Sequence, residues 1–266
     1  MKTKFDKIYI ISLIFNKERQ KFIKNQMNRL DLDFEFIYGE DFLNIKHDRF
    51  GKEIKYPSLV DWDHLNNYAM YGCTINHYRA ILQAYEFCYN NVLIIEDDIC
   101  LLKDENIIKD YLNNTPDDAD FITYTIRFLS GFEKNNFIKN ELKSKNKDKL
   151  YISFPNIYKS LCGTGMYAIM NRKTMELYLE NQRKCFKCCD HVDGFFEHPN
   201  INRYTTYNAI CLDQYNMSRR EKISDKSLLC YDQINIVKNY DDYFQPIKYN
   251  ISNINTKLKN NKEESN

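Results

Sequence analysis

Three adjacent acids, Glu96, Asp97 and Asp98, interrupt one of the most apolar runs in the chain, NNVLIIEDDICLL from Asn90 to Leu102. Burying one unpaired carboxylate is costly, and three side by side repel one another. Something of opposite charge must compensate them. Hard carboxylate oxygens suit Mg2+ or Mn2+, which would neutralise the cluster and bridge it to a diphosphate. If extended geometry continues through residue 98, Glu96 and Asp98 point to one face and Asp97 to the other. Acid-x-acid at the carboxyl end of a parallel strand is also where α/β folds place ligand sites.

Four chemistries compete for this triplet. A strand running into a solvated acidic turn needs no ligand. A Walker-B-like element needs a phosphate loop of the form G-x-x-x-x-G-K-[ST], and the sequence has none. A phosphatase-type Asp nucleophile is the third. The fourth is the metal–diphosphate site of a nucleotide-sugar transferase, which accounts best for acids gathered at one strand end.

Other groups carry weaker signals. CCDHVDGFF (Cys188 to Phe196) puts Asp190, His191 and Asp193 in a short polar knot beside aromatics. A carboxylate or imidazole there could take the proton of a sugar hydroxyl; a turn with helix-capping Asp residues is the alternative. His77, in GCTINHYRAI, lies near the start of an expected helix, where capping or packing would be its ordinary role. GTGMYA (Gly163 to Ala168) matches G-x-G-x-x-A but has no clear strand before it. It reads as a close-packed strand entry rather than a dinucleotide site. Cys185, Cys188, Cys189, His191 and His198 have partial zinc spacing, but no second Cys-x-x-Cys accompanies them. Ordinary core and surface cysteines are expected there.

The elements that must position these groups follow from pattern. KIYIISL (Lys7 to Leu13) is an apolar run that reads as a buried strand. Asn16 can cap a helix running to about Leu30, with Ile23, Met27 and Leu30 as its apolar stripe. FEFIY (Phe34 to Tyr38) alternates as a second strand, so the chain opens β-α-β and predicts a parallel sheet between helices. Residues 40–71 read as irregular. A helix is expected from Gly72 to about Tyr89, with Ile75, Tyr78, Leu82 and Tyr85 on one side. Val92 to Ile95 is the strand that delivers the acids, and FITY (Phe121 to Tyr124) is a short strand. Residues 133–149 are charged and nearly core-free, as in a loop. GTGMYAIM (Gly163 to Met170) reads as a strand, followed by a helix from Arg172 to about Glu180. A single domain over residues 1–255 and a disordered tail over 256–266 are expected.

Bulk properties narrow the classes. The 266 residues include 38 basic and 37 acidic side chains, a net charge of +1, so nothing pulls the chain toward nucleic acid or an anionic membrane. No apolar run approaches the roughly 18 residues of a membrane span, and no signal-peptide pattern opens the chain. A soluble, cytoplasmic protein without a transmembrane segment is expected. Nine cysteines, an odd number mostly inside apolar patterns (Cys73, Cys88, Cys100, Cys211), fit reduced, buried thiols.

Taken in order, several segments resemble glycosyltransferase family 25, the lipooligosaccharide-biosynthesis group that includes collagen galactosyltransferases. KIYIISLIFNKERQKF is similar to the family's opening strand and Arg-containing turn, which points to Arg19. GCTINHYRAI resembles its Gly-Cys-x-x-Ser-His helix start, VLIIEDDICL its strand ending in Glu-Asp-Asp, and GTGMYAIMNRKTMELYL its Gly-x-x-Tyr strand and helix. HVDGFF is similar to a later Val-Asp segment. The likeness covers roughly residues 6 to 200. Two positions depart from the pattern: Ser12 stands where Asn is usual, and Asn76 replaces the Ser before His77.

The resemblance implies a GT-A-like fold, a mostly parallel sheet between helices. It implies a UDP-sugar donor, Mn2+ or Mg2+, and inverting transfer of a hexose, galactose first and glucose second. The acceptor would be a glycan, lipooligosaccharide or glycoprotein. Asp98 would be the metal ligand, Arg19, His77, Glu96 and Asp97 the donor-binding set, and Asp193 or else Asp190 the base.

Overall fold

The computed structural model describes residues 3–39, 62–125, 127–128, 150–154, 161–162, 164–185, 200–206 and 210–213. Within these, β1 (Lys7–Leu13), α1 (Lys17–Arg29) and β2 (Glu35–Gly39) form the expected β-α-β opening. There follow α2 (Trp62–Glu86), β3 (Val92–Glu96), β4 (Ile99–Leu101), α3 (Glu105–Asn113), β5 (Phe121–Thr123) and β6 (Arg127–Phe128). The last described elements are β7 (Tyr151–Phe154), β8 (Leu161–Cys162), β9 (Met166–Ile169), α4 (Arg172–Cys185), β10 (Arg203–Thr206) and β11 (Cys211–Asp213).

Among the described residues, seven strands make one sheet in the order β2-β1-β3-β9-β5-β10-β7. Strands β2, β1, β3, β5 and β10 run one way, whereas β9 and β7 run against them. The expected mostly parallel sheet is therefore present, with an antiparallel strand wedged between β3 and β5. Two small ribbons, β4 with β11 and β6 with β8, lie outside it.

Alternation along the central strands sorts the core into two layers. Ile8, Ile10, Leu93 and Ile95 pack with Ile23 and Met27 of α1, with Leu30 just after it, and with Ile108, Tyr111 and Leu112 of α3. Tyr9, Ile11, Val92, Ile94, Tyr167 and Ile169 pack on the other face with Ala80, Ile81 and Ala84 of α2 and with Met175, Tyr178 and Leu179 of α4. Ile94, Ile95, Ile81 and Ile23 are fully buried. Each such side chain stabilises the fold by about 1.5–3 kcal/mol relative to exposure. The stripe read from the sequence of α1 is the buried one.

Helix α2 differs from its sequence reading in two ways. It begins at Trp62, inside the stretch expected to be irregular, so Asn76 and His77 sit within the helix and neither caps it. Among its described side chains the most buried line is His77, Ala80, Ile81 and Ala84, all at 0% exposure, whereas Leu82 and Tyr85 are only partly buried. Two alanines let the helix lie close to the sheet, which carries the polar His77 beneath it. The approach is tight at the β2 end as well. A Cβ on Gly39 would lie 2.2 Å from Asn76 Nδ2.

Other boundaries also move. Asn16 stands at the N-terminus of α1 but makes no side-chain capping bond, because its backbone is not in the extended conformation that capping uses. Helix α4 runs on to Cys185, and Asn171 Oδ1 accepts from Thr174 N to begin it. The 133–149 stretch and the 256–266 tail lie outside the described residues. None of the described helices is long and apolar enough to cross a membrane.

Candidate active site

Strand β3 ends at Glu96, and Asp97 and Asp98 form a turn before β4. That ending decides where the acids go. Glu96 keeps the alternation and turns to the face covered by α2, where its Oε1 lies 3.2 Å from His77 Nε2 and accepts from Thr164 Oγ1 at 3.3 Å. Asp97 and Asp98 both turn toward α1. Arg19 Nη1 donates to Asp97 Oδ1 at 2.8 Å, and Nη2 donates to Asp98 Oδ2 at 2.5 Å. The expectation that Asp98 shares a face with Glu96 is thus corrected: the strand stops one residue before Asp97, so period-two geometry no longer governs Asp98.

Arg19 is a single turn into α1, which the short loop after β1 aims back over the strand ends. Ser12, on the same side of β1 as Ile8 and Ile10, donates from Oγ to Asp97 Oδ2 at 2.6 Å. Both oxygens of Asp97 are therefore engaged, one by a cation and one by a hydroxyl. The backbone reinforces the turn, with Asp97 N bonded to Ile11 O at 3.1 Å and Glu96 N to Gly165 O at 2.7 Å.

The electrostatics follow from burial. Asp97 is 3% exposed. Its carboxyl is raised to about 7 on balance: burial pushes it up most, Arg19 opposes, Asp98 adds to the rise, the Ser12 bond opposes, and Glu96 adds a little more. Burial works against charge on Arg19 also, but Asp98, Asp97 and Glu96 outweigh it and hold the guanidinium more firmly protonated. Among the described residues, Asp97 and Asp98 share the Arg19 guanidinium. Arg19 Nε is buried and makes no hydrogen bond among the described residues.

On the α2 side the polar groups form a chain. His77 is fully buried, and its Nδ1 lies 2.9 Å from the hydroxyl of Tyr167, itself fully buried on β9. A proton on Nε2 lets the imidazole donate to Glu96 while the Tyr167 hydroxyl donates to Nδ1, so the neutral ring satisfies both partners. Glu96 is the open end of this chain, its side chain 27% exposed.

The residues present fit a hard divalent cation. Mg2+ and Mn2+ sites commonly use one or two carboxylates and complete their shell with phosphates and water. Asp98 supplies a carboxylate in a negative cluster, meeting Arg19 through Oδ2. Among the sequence-predicted residues, Arg19, Asp97 and Asp98 come together in one group and His77 with Glu96 in an adjoining one. Asp190 and Asp193 lie outside the described residues, as do Cys188, Cys189, His191 and His198.

Sequence reasoning missed three participants. Tyr167 stands in the sequence as the Tyr of a Gly-x-x-Tyr strand with no role assigned to it, and Thr164 as part of a glycine-flanked strand entry. Cys73 is one helical turn before His77, and its sulfur joins His77 and Glu96 in a group whose ligand atoms lie within 4.8 Å of one another. The i, i+4 spacing on a helix was the available signal.

No curated protein matches the chain. Among solved structures, it is similar to a glycosyltransferase involved in the glycosylation of the major capsid of PBCV-1, at 12% identity and a TM-score of 0.45, over 82% of this chain and 97% of that one. It is also similar to A197 from STIV, at 13% identity and a TM-score of 0.34, over 74% and 79% of the two chains. A third is the galactosyltransferase LgtC in complex with donor and acceptor sugar analogs, at 11% identity and a TM-score of 0.35, over 74% and 70%. A family model described as glycosyltransferase family 25 (LPS biosynthesis protein) matches residues 5–192, which include Arg19, His77 and the Glu96–Asp98 turn. The chain belongs to glycosyltransferase family 25.

Proposed function

We propose that the chain is a metal-dependent, inverting transferase acting in the cytoplasm. It would move a hexose, galactose first and glucose second, from a UDP-sugar to a hydroxyl of a glycan, lipooligosaccharide or glycoprotein. The observation that supports this reading is the Asp97–Asp98 turn at the end of β3, braced by Arg19 and Ser12, in a chain of this family. Asp98 is the residue to hold Mn2+ or Mg2+, which when bound supplies Lewis-acid compensation for the charge that develops on the departing UDP.

The chain's own groups do the rest. Asp97, with both oxygens engaged, positions the turn. Arg19 fixes the two acids and adds positive charge on the side where a diphosphate meets Asp98. Glu96, held by His77 and Thr164, offers its exposed edge to the donor's ribose hydroxyls. Asp193, or Asp190 in its place, takes the acceptor hydroxyl's proton during in-line attack. UDP release from a panel of UDP-hexoses, with Mn2+ and with chelator, tests the proposal. Tight donor binding without release would mark an inactive binder, and release at a rate indifferent to every acceptor would mark a hydrolase.

A further inference from the structure

The hard acids at the β3 turn have a softer neighbour. Helix α2 presents Cys73 and His77 one turn apart, on the same face. Strand β3 ends by directing Glu96 toward that face. One ligand atom from each of the three, a thiol sulfur, an imidazole nitrogen and a carboxylate oxygen, lies within 4.8 Å of the other two. We propose that Cys73, His77 and Glu96 form a site for a thiophilic divalent cation such as Zn2+, beside the Asp97–Asp98 turn and separate from it.

Three observations argue for it. First, the geometry is close to assembled. Two ligands about 2.0–2.1 Å from a tetrahedral zinc stand about 3.3 Å apart, and His77 Nε2 and Glu96 Oε1 are 3.2 Å apart. The Cys73 sulfur lies within 4.8 Å of both and would close on the ion by rotation about its side chain. Second, His77 is held as metal-binding imidazoles are held. The nitrogen facing away from Glu96 is bonded to the Tyr167 hydroxyl, and both rings are fully buried. Such outer partners fix the ring and its tautomer. Third, the charges match: thiolate and carboxylate together neutralise a dication.

The protons balance. Binding releases the Cys73 thiol proton to solvent. The imidazole stays neutral, giving up its Nε2 proton and holding one at Nδ1 instead, with Tyr167 Oη changing from donor to acceptor. The sulfur–nitrogen–oxygen donor set favours Zn2+ or Co2+ over Mg2+, whose preference is for oxygen alone. A tetrahedral ion held by these three would leave one position for water. A cation here would also withdraw Glu96 from a sugar-nucleotide donor; that consequence rests on the proposed transferase reading, whereas the site itself does not.

The test uses the full-length, metal-free protein and Co2+ as the probe. Titration is expected to give a thiolate-to-cobalt charge-transfer band and intensified visible bands of tetrahedral cobalt, saturating at one equivalent. Excess Mg2+ should leave the bands unchanged, and Zn2+ should abolish them. Cys73→Ser, a small change at an exposed position, should remove the charge-transfer band, and Tyr167→Phe should weaken Co2+ binding by about 10-fold. Absence of the band in the wild-type protein overturns the proposal. So does a band that survives in Cys73→Ser, which would place the metal on other cysteines. The readout does not depend on sugar transfer, so failure here and failure of the transferase reading are told apart.

Discussion

Arg19 Nη2 lies 2.5 Å from Asp98 Oδ2, a contact that joins the first helix to an acid 79 residues further along the chain. The same guanidinium reaches Asp97 through Nη1. This is the compensation that three adjacent acids at a strand end require, and the chain supplies part of it internally. Asp97 and Asp98 are thus fixed before any ligand arrives.

Removing that cation should be expensive. Arg19→Met leaves two largely buried carboxylates without their counter-charge, and a loss of about 3–5 kcal/mol of stability is expected, the usual cost of breaking a buried pair from one side. Arg19→Lys should recover part of it, because an ammonium keeps the charge but cannot fork to two carboxylates. Urea denaturation reads the difference. An unchanged midpoint in Arg19→Met would mean that the ion pair contributes nothing.

Ser12→Ala removes the hydroxyl that donates to Asp97 Oδ2 within the core. A buried bond to a charged group is at stake, so a cost of about 1.5–3 kcal/mol is expected. The same variant should show a lower donor affinity, because Asp97 anchors the turn that carries Asp98. Donor binding by calorimetry at a temperature where both proteins are folded separates that effect from stability.

Gly39 and Asn76 should be energetically coupled. A Cβ at residue 39 meets the Asn76 amide at 2.2–2.6 Å, and Asn76 is 5% exposed, so it has little room to retreat. Gly39→Ala is expected to cost about 1–3 kcal/mol through overpacking. In an Asn76→Ala background most of that cost should vanish. A double-mutant cycle with no coupling would show that helix α2 does not press on the end of β2.

Much of the sheet was legible because its signals are local. Apolar runs at Lys7–Leu13 and Val92–Glu96 have no alternative to burial, and the Ile23, Met27, Leu30 stripe could face only one way. The start of α2 was missed because an Asn- and Tyr-rich segment carries no strong apolar period. The antiparallel placement of β9 between β3 and β5 could not be read, since strand order is set by tertiary pairing and not by pattern. The acids themselves were found, and the resemblance pointed to Arg19, but their facing was misjudged at Asp98. A strand's end depends on what pairs with it: the described β1 partner of β3 reaches Glu96 and no further. Ser12 and Tyr167 join the site only through contacts across the sheet or to α2, which a linear reading does not contain, whereas Cys73 is signalled by its i, i+4 spacing from His77.

The assignment of the base makes a kinetic prediction. Asp193→Asn should lower turnover by about 100-fold or more, the typical contribution of a positioned base, while donor affinity stays within about twofold of wild type. Single-turnover transfer and donor binding, measured on the same protein, separate the two. An unchanged turnover number removes Asp193 and leaves Asp190→Asn as the next variant.

The central claim, that the braced acids at the end of β3 serve metal-dependent transfer from a sugar nucleotide, is tested most directly by UDP release from UDP-galactose and UDP-glucose, with simple galactosides and glucosides as acceptors. Wild-type protein should release UDP with Mn2+ and lose that activity with chelator, and Asp98→Asn, with its fold verified, should be inactive under both conditions. Release that persists at full rate in chelator, or in Asp98→Asn, would contradict the account.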